Sequence, residues 1–152
     1  MSEHFRSVMW QRLDLPGSDY CSLLRTAAGW RLAGVAVATF DGTPLCADYV
    51  VECDESWCTR ETTLNIDTNG AKRQLHIVTE GNGSWSVNGQ AVDGVRGSID
   101  VDLNVTPATN TLSLRRLNLE IGASAEVGLP APVAVCVPDV ALDVCSAPAL
   151  GS

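Results

Sequence analysis

From Trp30 onward the chain alternates apolar and polar residues in short runs separated by turn residues, the period of a pleated strand. Residues 30–40 form a Gly/Ala/Val-rich run that ends at Asp41-Gly42, and residues 45–53 form a second run. An acidic turn, Asp54-Glu55-Ser56, leads into residues 57–67. There Cys58, Arg60, Thr62, Leu64 and Ile66 share one face, opposite Trp57, Thr59, Glu61 and Thr63. Asn69-Gly70 is a strong hairpin signal. It joins that run to residues 71–80, where Ala71, Arg73, Leu75 and Ile77 alternate with Lys72, Gln74, His76 and Val78. Gly81-Asn82-Gly83 turns the chain, residues 85–87 form a short strand, and Asn88-Gly89 makes another hairpin turn. Residues 95–103 then place Ile99, Val101 and Leu103 on one side and Ser98, Asp100 and Asp102 on the other.

Past the loop TPATNT, Leu112 and Leu114 fall on even positions, whereas Leu117, Leu119 and Ile121 fall on odd ones. A period of two changes parity only through an extra residue, which predicts a β-bulge at Arg115-Arg116. Residues 133–137 read as a last strand. The segment 19–25 is too short and mixed to assign, and no long helix is evident. The expectation is a mostly β protein with one domain over residues 1–141 and an irregular tail over 142–152. Successive hairpins make an antiparallel meander, which curves or half-closes around its apolar face.

Composition narrows the function. The 152 residues carry a formal net charge of −8, which argues against a nucleic-acid partner and against docking by charge on an anionic membrane. Apolar residues reach 45%, yet no run approaches the about 20 needed to span a bilayer as a helix. The first residues carry scattered charges and no apolar segment of signal-peptide type, so a cytoplasmic location is expected. In that compartment Cys21, Cys46, Cys53, Cys58, Cys136 and Cys145 are expected as free thiols, with a Cys53–Cys58 pair across a tight turn as the alternative. There is no CxxC, and His4 and His76 are isolated, His76 having no nearby acid in sequence. No metal site is therefore expected, and no glycine pattern suggests a nucleotide cofactor.

Candidate chemistry concentrates in residues 100–117, DVDLNVTPATNTLSLRRL. Asp100 and Asp102 share a strand face, an arrangement suited to acid–base work when one carboxylate raises the pKa of the other. The plainer reading is a pair of salt-bridge partners. Arg115 and Arg116 offer forks for a phosphate, a carboxylate or sugar hydroxyls, or for locking onto Asp100 or Asp102. Asn110 and its threonines shape a turn and offer donors to a polar headgroup. Trp57 and Trp85 are core or rim residues, and a tryptophan at a cavity rim stacks on sugar rings.

Several of these motifs together resemble the bacterial family described as putative glycolipid-binding, formerly a domain of unknown function. They are Cys53-Asp54 before Trp57, Thr59 and Arg60; Gly83 and Trp85 before Asn88-Gly89; and Asp100 through the Arg115-Arg116-Leu117 end of the loop motif. The resemblance runs from about residue 9 to about residue 139. It departs at Ser113, where the family usually has proline, and near Ser98, where cysteine is common. Members also continue with further strands where this chain turns to an Ala/Pro-rich tail. The resemblance implies a half-open barrel or strongly curved sheet around an apolar cavity, like bacterial lipoprotein carriers. It implies binding of a lipid or glycolipid, without catalytic residues and without a cofactor. Arg115, Arg116, Trp57, Trp85 and Asn110 are then the expected ligand contacts. The rival readings are an enzyme acting on a lipid or glycan through Asp100 and Asp102, and an interaction module that dimerises through an open sheet edge.

Overall fold

The structure, a computed structural model, describes residues 1–118 and 120–124 and the backbone at 133–135 and 144–146. Eight strands form one antiparallel sheet in chain order: β1 (Glu3–Gln11), β2 (Gly17–Thr26), β3 (Gly29–Phe40), β4 (Thr43–Cys53), β5 (Thr59–Thr68), β6 (Ala71–Thr79), β7 (Trp85–Val87) and β8 (Gln90–Val92). This is the expected meander. It does not close into a barrel, since β1 and β8 remain its two edges. Asp41-Gly42, Asn69-Gly70 and Asn88-Gly89 each take positive φ at both positions, as two-residue hairpin turns require.

One face of the sheet is apolar along its rungs. Cys21, Gly34, Tyr49, Leu64 and Leu75 form one row, and Leu23, Leu32, Val51, Thr62 and Ile77 the next. Gly34 has no side chain because Tyr49 lies across it: a Cβ there would come within 2.3 Å of the tyrosine oxygen. The chain returns over this face as β9 (Val101–Leu103) and α1 (Asn110–Leu117). Val101, Leu103, Val105, Ala108 and Leu112 are all buried there in one core with the rung residues. β10 (Val133–Val135) pairs in parallel with β9 and antiparallel with β11 (Val144–Ser146). The last strand expected over 133–137 is thus present as β10. Of the stretch expected as an irregular tail, Val144–Ser146 is a strand, and the remainder lies outside the described residues.

Several expectations change. No bulge occurs at Arg115-Arg116, because that segment is helical. Ala108 and Leu112, four apart, are buried, while Leu114 is 59% exposed. That spacing is helical rather than alternating. Leucine and arginine favour the helix, both arginines fall in its last turn, and Asn118 ends it in the left-handed conformation. Leu119 lies outside the described residues. A register shift lies instead in β5, where Cys53 faces Thr59 and Glu52 faces Glu61. It turns Thr59 inward and leaves Arg60 exposed, reversing the faces expected for those two residues. The strand expected over 95–103 shrinks to β9, because Gly94 and Gly97 take positive φ and break the run. Two strands, β1 and β2, are additions to the expected elements. His76 does have an acid neighbour: its Nε2 lies 2.7 Å from Glu61 Oε1 on β5.

Among the described residues no helix is long and apolar enough to cross a membrane. Cys21, Cys46, Cys53 and Cys58 are free thiols, so no Cys53–Cys58 bond forms. Burial, reinforced by the charge of Asp100, pushes the Cys53 thiol up to about 12.

Candidate functional site

The expected contact residues separate into three places. Arg116 sends Nη1 to Asp100 Oδ1 at 2.9 Å and to the Trp57 carbonyl at 3.0 Å, and Nη2 to Asp100 Oδ2. The bond to Asp100 raises the guanidinium pKa against its burial. Arg116 therefore ties α1 to the sheet and to the turn before β5. Trp85 is 3% exposed and donates its indole N–H to the Ser98 carbonyl at 2.9 Å. It is a core residue and presents no face to a ligand. Asn110 is exposed at the start of α1 and borders a cleft at the far end of β2.

Trp57 stacks on Trp30 with ring centroids 4.5 Å apart and planes 16° from parallel. The Arg25 guanidinium lies 4.7 Å from the Trp30 ring and that of Arg115 lies 5.8 Å from the Trp57 ring. No guanidinium fits between rings so close, so the four side chains make a column with the two tryptophans inside. Both faces of Trp57 are thus occupied, and stacking on a sugar would require Arg115 to move. Phe5 meets Trp30 edge-on at 5.6 Å.

The cleft beside Asn110 has a volume of about 500 Å³. The first strand and its turn supply Trp10, Gln11, Arg12 and Asp14; β2 supplies Asp19; β9 and the loop after it supply Asp102, Asn104, Val105, Thr106 and Pro107. Asp19 is only 4% exposed. Tyr49 donates its hydroxyl toward both Asp19 oxygens at 3.1 Å, and Thr106 donates to Asp19 Oδ2. Burial raises the Asp19 pKa, and the two hydroxyl donors only partly oppose it. Thr109 donates to Asp102 Oδ1 at 2.9 Å. Arg12 is committed elsewhere, holding both Asp14 oxygens at 2.8 and 3.0 Å, and that pairing draws the Asp14 pKa down to about 2.

A second cleft of about 570 Å³ is bordered by Pro16 and Gly17 at the end of the β1–β2 turn and by β3 and β4. Its lining is largely apolar: Pro16, Val37, Ala38, Pro44, Leu45 and the exposed Cys46, with Asp67 and Asn69 at one end. The turn itself is fixed by Arg12 N–H donating to the Gly17 carbonyl and Thr39 N–H donating to the Pro16 carbonyl, both at 3.0 Å. Gly17 is needed there, since a Cβ would approach the Val37 carbonyl to 2.7 Å.

Sequence reasoning missed Trp10, Asp14 and Asp19 because it missed the hairpin that carries them. A signal existed: Asp19, Cys21 and Leu23 alternate with Tyr20, Ser22 and Leu24 after Pro16-Gly17. An aspartate and a cysteine at the first two inward positions masked the pattern. Most of the recognised motif residues have structural work instead. Asp54 accepts the backbone N–H groups of Ser56 and Cys58 and binds Arg60 at 2.5 Å, which holds Trp57 at φ 65°. Gly83 lets residue 97 approach, its N–H donating to the Gly83 carbonyl at 3.2 Å. Asp100 bonds Arg116, whereas Asp102 borders the cleft.

No protein of curated function matches the chain. Among solved structures it is similar to a DUF1089 family protein from Pseudomonas aeruginosa, with 26% identity and a TM-score of 0.65 over 85% of this chain and 67% of that one. Residues 7–147 match the family described as Putative glycolipid-binding, and the chain belongs to that family.

Proposed function

We propose that the protein binds a sugar-bearing amphiphile without altering it, the sugar in the Asp19–Asp102 cleft and the alkyl chain in the Val37–Leu45 cleft. The observation that carries this is that a polar and an apolar cleft both border the short segment from Trp10 to Gly17. Sugar recognition typically joins an aromatic ring with carboxylates and amides that bond hydroxyls, and Trp10, Asp19, Asp102 and Asn110 provide that set. The apolar cleft gains about 25 cal/mol for each Å² of alkyl surface it takes from water. The family description favours the same ligand class. Against an acid–base enzyme built on Asp100 and Asp102 stands the engagement of both Asp100 oxygens by Arg116.

Native mass spectrometry of the protein with octyl glucoside tests the proposal. A one-to-one complex is expected, and it should weaken when Val37, 47% exposed, is changed to Asp. Absence of any complex with octyl glucoside and with longer alkyl glycosides contradicts it.

A second reading rests on β1, an edge strand whose nine residues are nearly all exposed and whose outer side is unpaired among the described strands. It makes the protein a homodimer through that edge. Light scattering decides: a dimer mass supports edge pairing, and a monomer mass at high concentration rejects it.

A further inference from the structure

We infer that the aromatic and arginine surface around Trp57 docks an acidic segment of a partner protein, an extended peptide in which carboxylates alternate with apolar side chains. Phe5 meets Trp30 edge-on, Trp30 stacks on Trp57, and Phe5 is 56% exposed. Arg25 lies over the Trp30 ring and Arg115 over the Trp57 ring. Arg6 adds a third cation. It stands opposite Leu23 in the ladder, and Leu23 shares a face of β2 with Arg25, two positions further on. Neither Arg6 nor Arg115 has an ion pair among the described residues. Tryptophan and arginine are the side chains that most often carry the binding energy where proteins meet.

Charge selects the occupant. Three cations stand here against two carboxylates: Glu55, which accepts from Arg25 at 3.1 Å, and Glu3, opposite Arg25 in the ladder. The surface is thus locally positive on a chain whose net charge is −8. A purely apolar partner would cover the Arg115 guanidinium without giving its donors an acceptor, which costs binding energy. A second copy docked patch to patch about a two-fold axis would set arginine against arginine. An anionic membrane brings the right charge to the patch but repels the rest of the chain. A short acidic peptide meets the three arginines and avoids the acidic remainder. Its apolar side chains rest on Phe5 and on the half-buried Trp30–Trp57 stack.

The test is fluorescence anisotropy of a short fluorescein-labelled peptide of alternating glutamate and leucine, titrated with the full chain at low salt. Peptides of the same length that alternate glutamine with leucine, and glutamate with glycine, are the controls. The glutamate–leucine peptide should bind with a Kd of about 100 μM or tighter, and both controls about tenfold more weakly. Arg115→Glu, at an exposed position with no ion pair to lose, should weaken the glutamate–leucine peptide about tenfold. Octyl glucoside should not displace the peptide, since the two clefts lie apart from these residues. Vesicles of phosphatidylcholine and phosphatidylglycerol in equal parts should not carry the protein down on sedimentation. The inference is overturned by a control peptide that binds as tightly as the glutamate–leucine peptide, by unchanged affinity in Arg115→Glu, by displacement with octyl glucoside, by sedimentation with the vesicles, or by no binding of the glutamate–leucine peptide.

Discussion

Arg116 grips both oxygens of Asp100 across the seam between α1 and β9, with the two side chains 18% and 12% exposed. Breaking a buried pair leaves its survivor charged and unpaired, at about 3–5 kcal/mol. Arg116→Met should therefore destabilise the protein by about that amount in urea unfolding. Asp100→Asn should cost less, since an amide still accepts from the guanidinium. The double variant should cost clearly less than the sum of the two single changes. Additive costs would mean that the two residues do not form one unit.

Trp30 and Trp57 are parallel and 4.5 Å apart. Stacked indoles couple their electronic transitions, so the far-UV circular dichroism should show an exciton couplet that disappears in Trp57→Leu. Arg115→Ala should leave the couplet in place and cost less than about 1 kcal/mol, as expected for an exposed cation over a ring. A couplet absent from the unaltered protein would contradict the column.

Asp19 has a raised pKa because it is buried. Its protonated form is favoured by folding, so its contribution is fully present below the ordinary value of 3.8 and is lost as pH rises through the raised value. Asp19→Asn removes that loss. Unfolding midpoints of the variant and the unaltered protein should move apart in the variant's favour as pH rises from 3.8 toward neutrality. Parallel curves over that range would show that Asp19 is not strained by burial.

The central meander was readable because β3 to β7 bury one face and meet at turns that demand Gly or Asn, so period and punctuation agree. The stretch 110–117 was misread because Leu112 and Leu114 imitate an alternating strand, while the helical signal, Ala108 to Leu112, straddles the loop. β1 was hidden because an exposed edge strand has no apolar face to mark it. The candidate site was the least legible part, since its residues come from that edge hairpin and from β9, more than 80 positions apart, as in the Thr106–Asp19 bond.

The helix makes a prediction that a strand does not. On a strand Leu112 and Leu114 share a face, so alanine at either would cost the same. In α1 Leu112 is fully buried and Leu114 is 59% exposed. Leu112→Ala should cost about 2–5 kcal/mol and Leu114→Ala within about 0.5 kcal/mol, measured by thermal or urea unfolding.

The account centres on one amphiphile lying across the β1–β2 turn, and amide chemical-shift mapping during titration with octyl glucoside tests it most directly. The amides of Asp14, Asp19, Asp102 and Asn110 should shift together with those of Val37, Ala38 and Leu45, along a single saturating curve. Shifts confined to one cleft, or gathered instead around Phe5, Trp30 and Trp57, would contradict it.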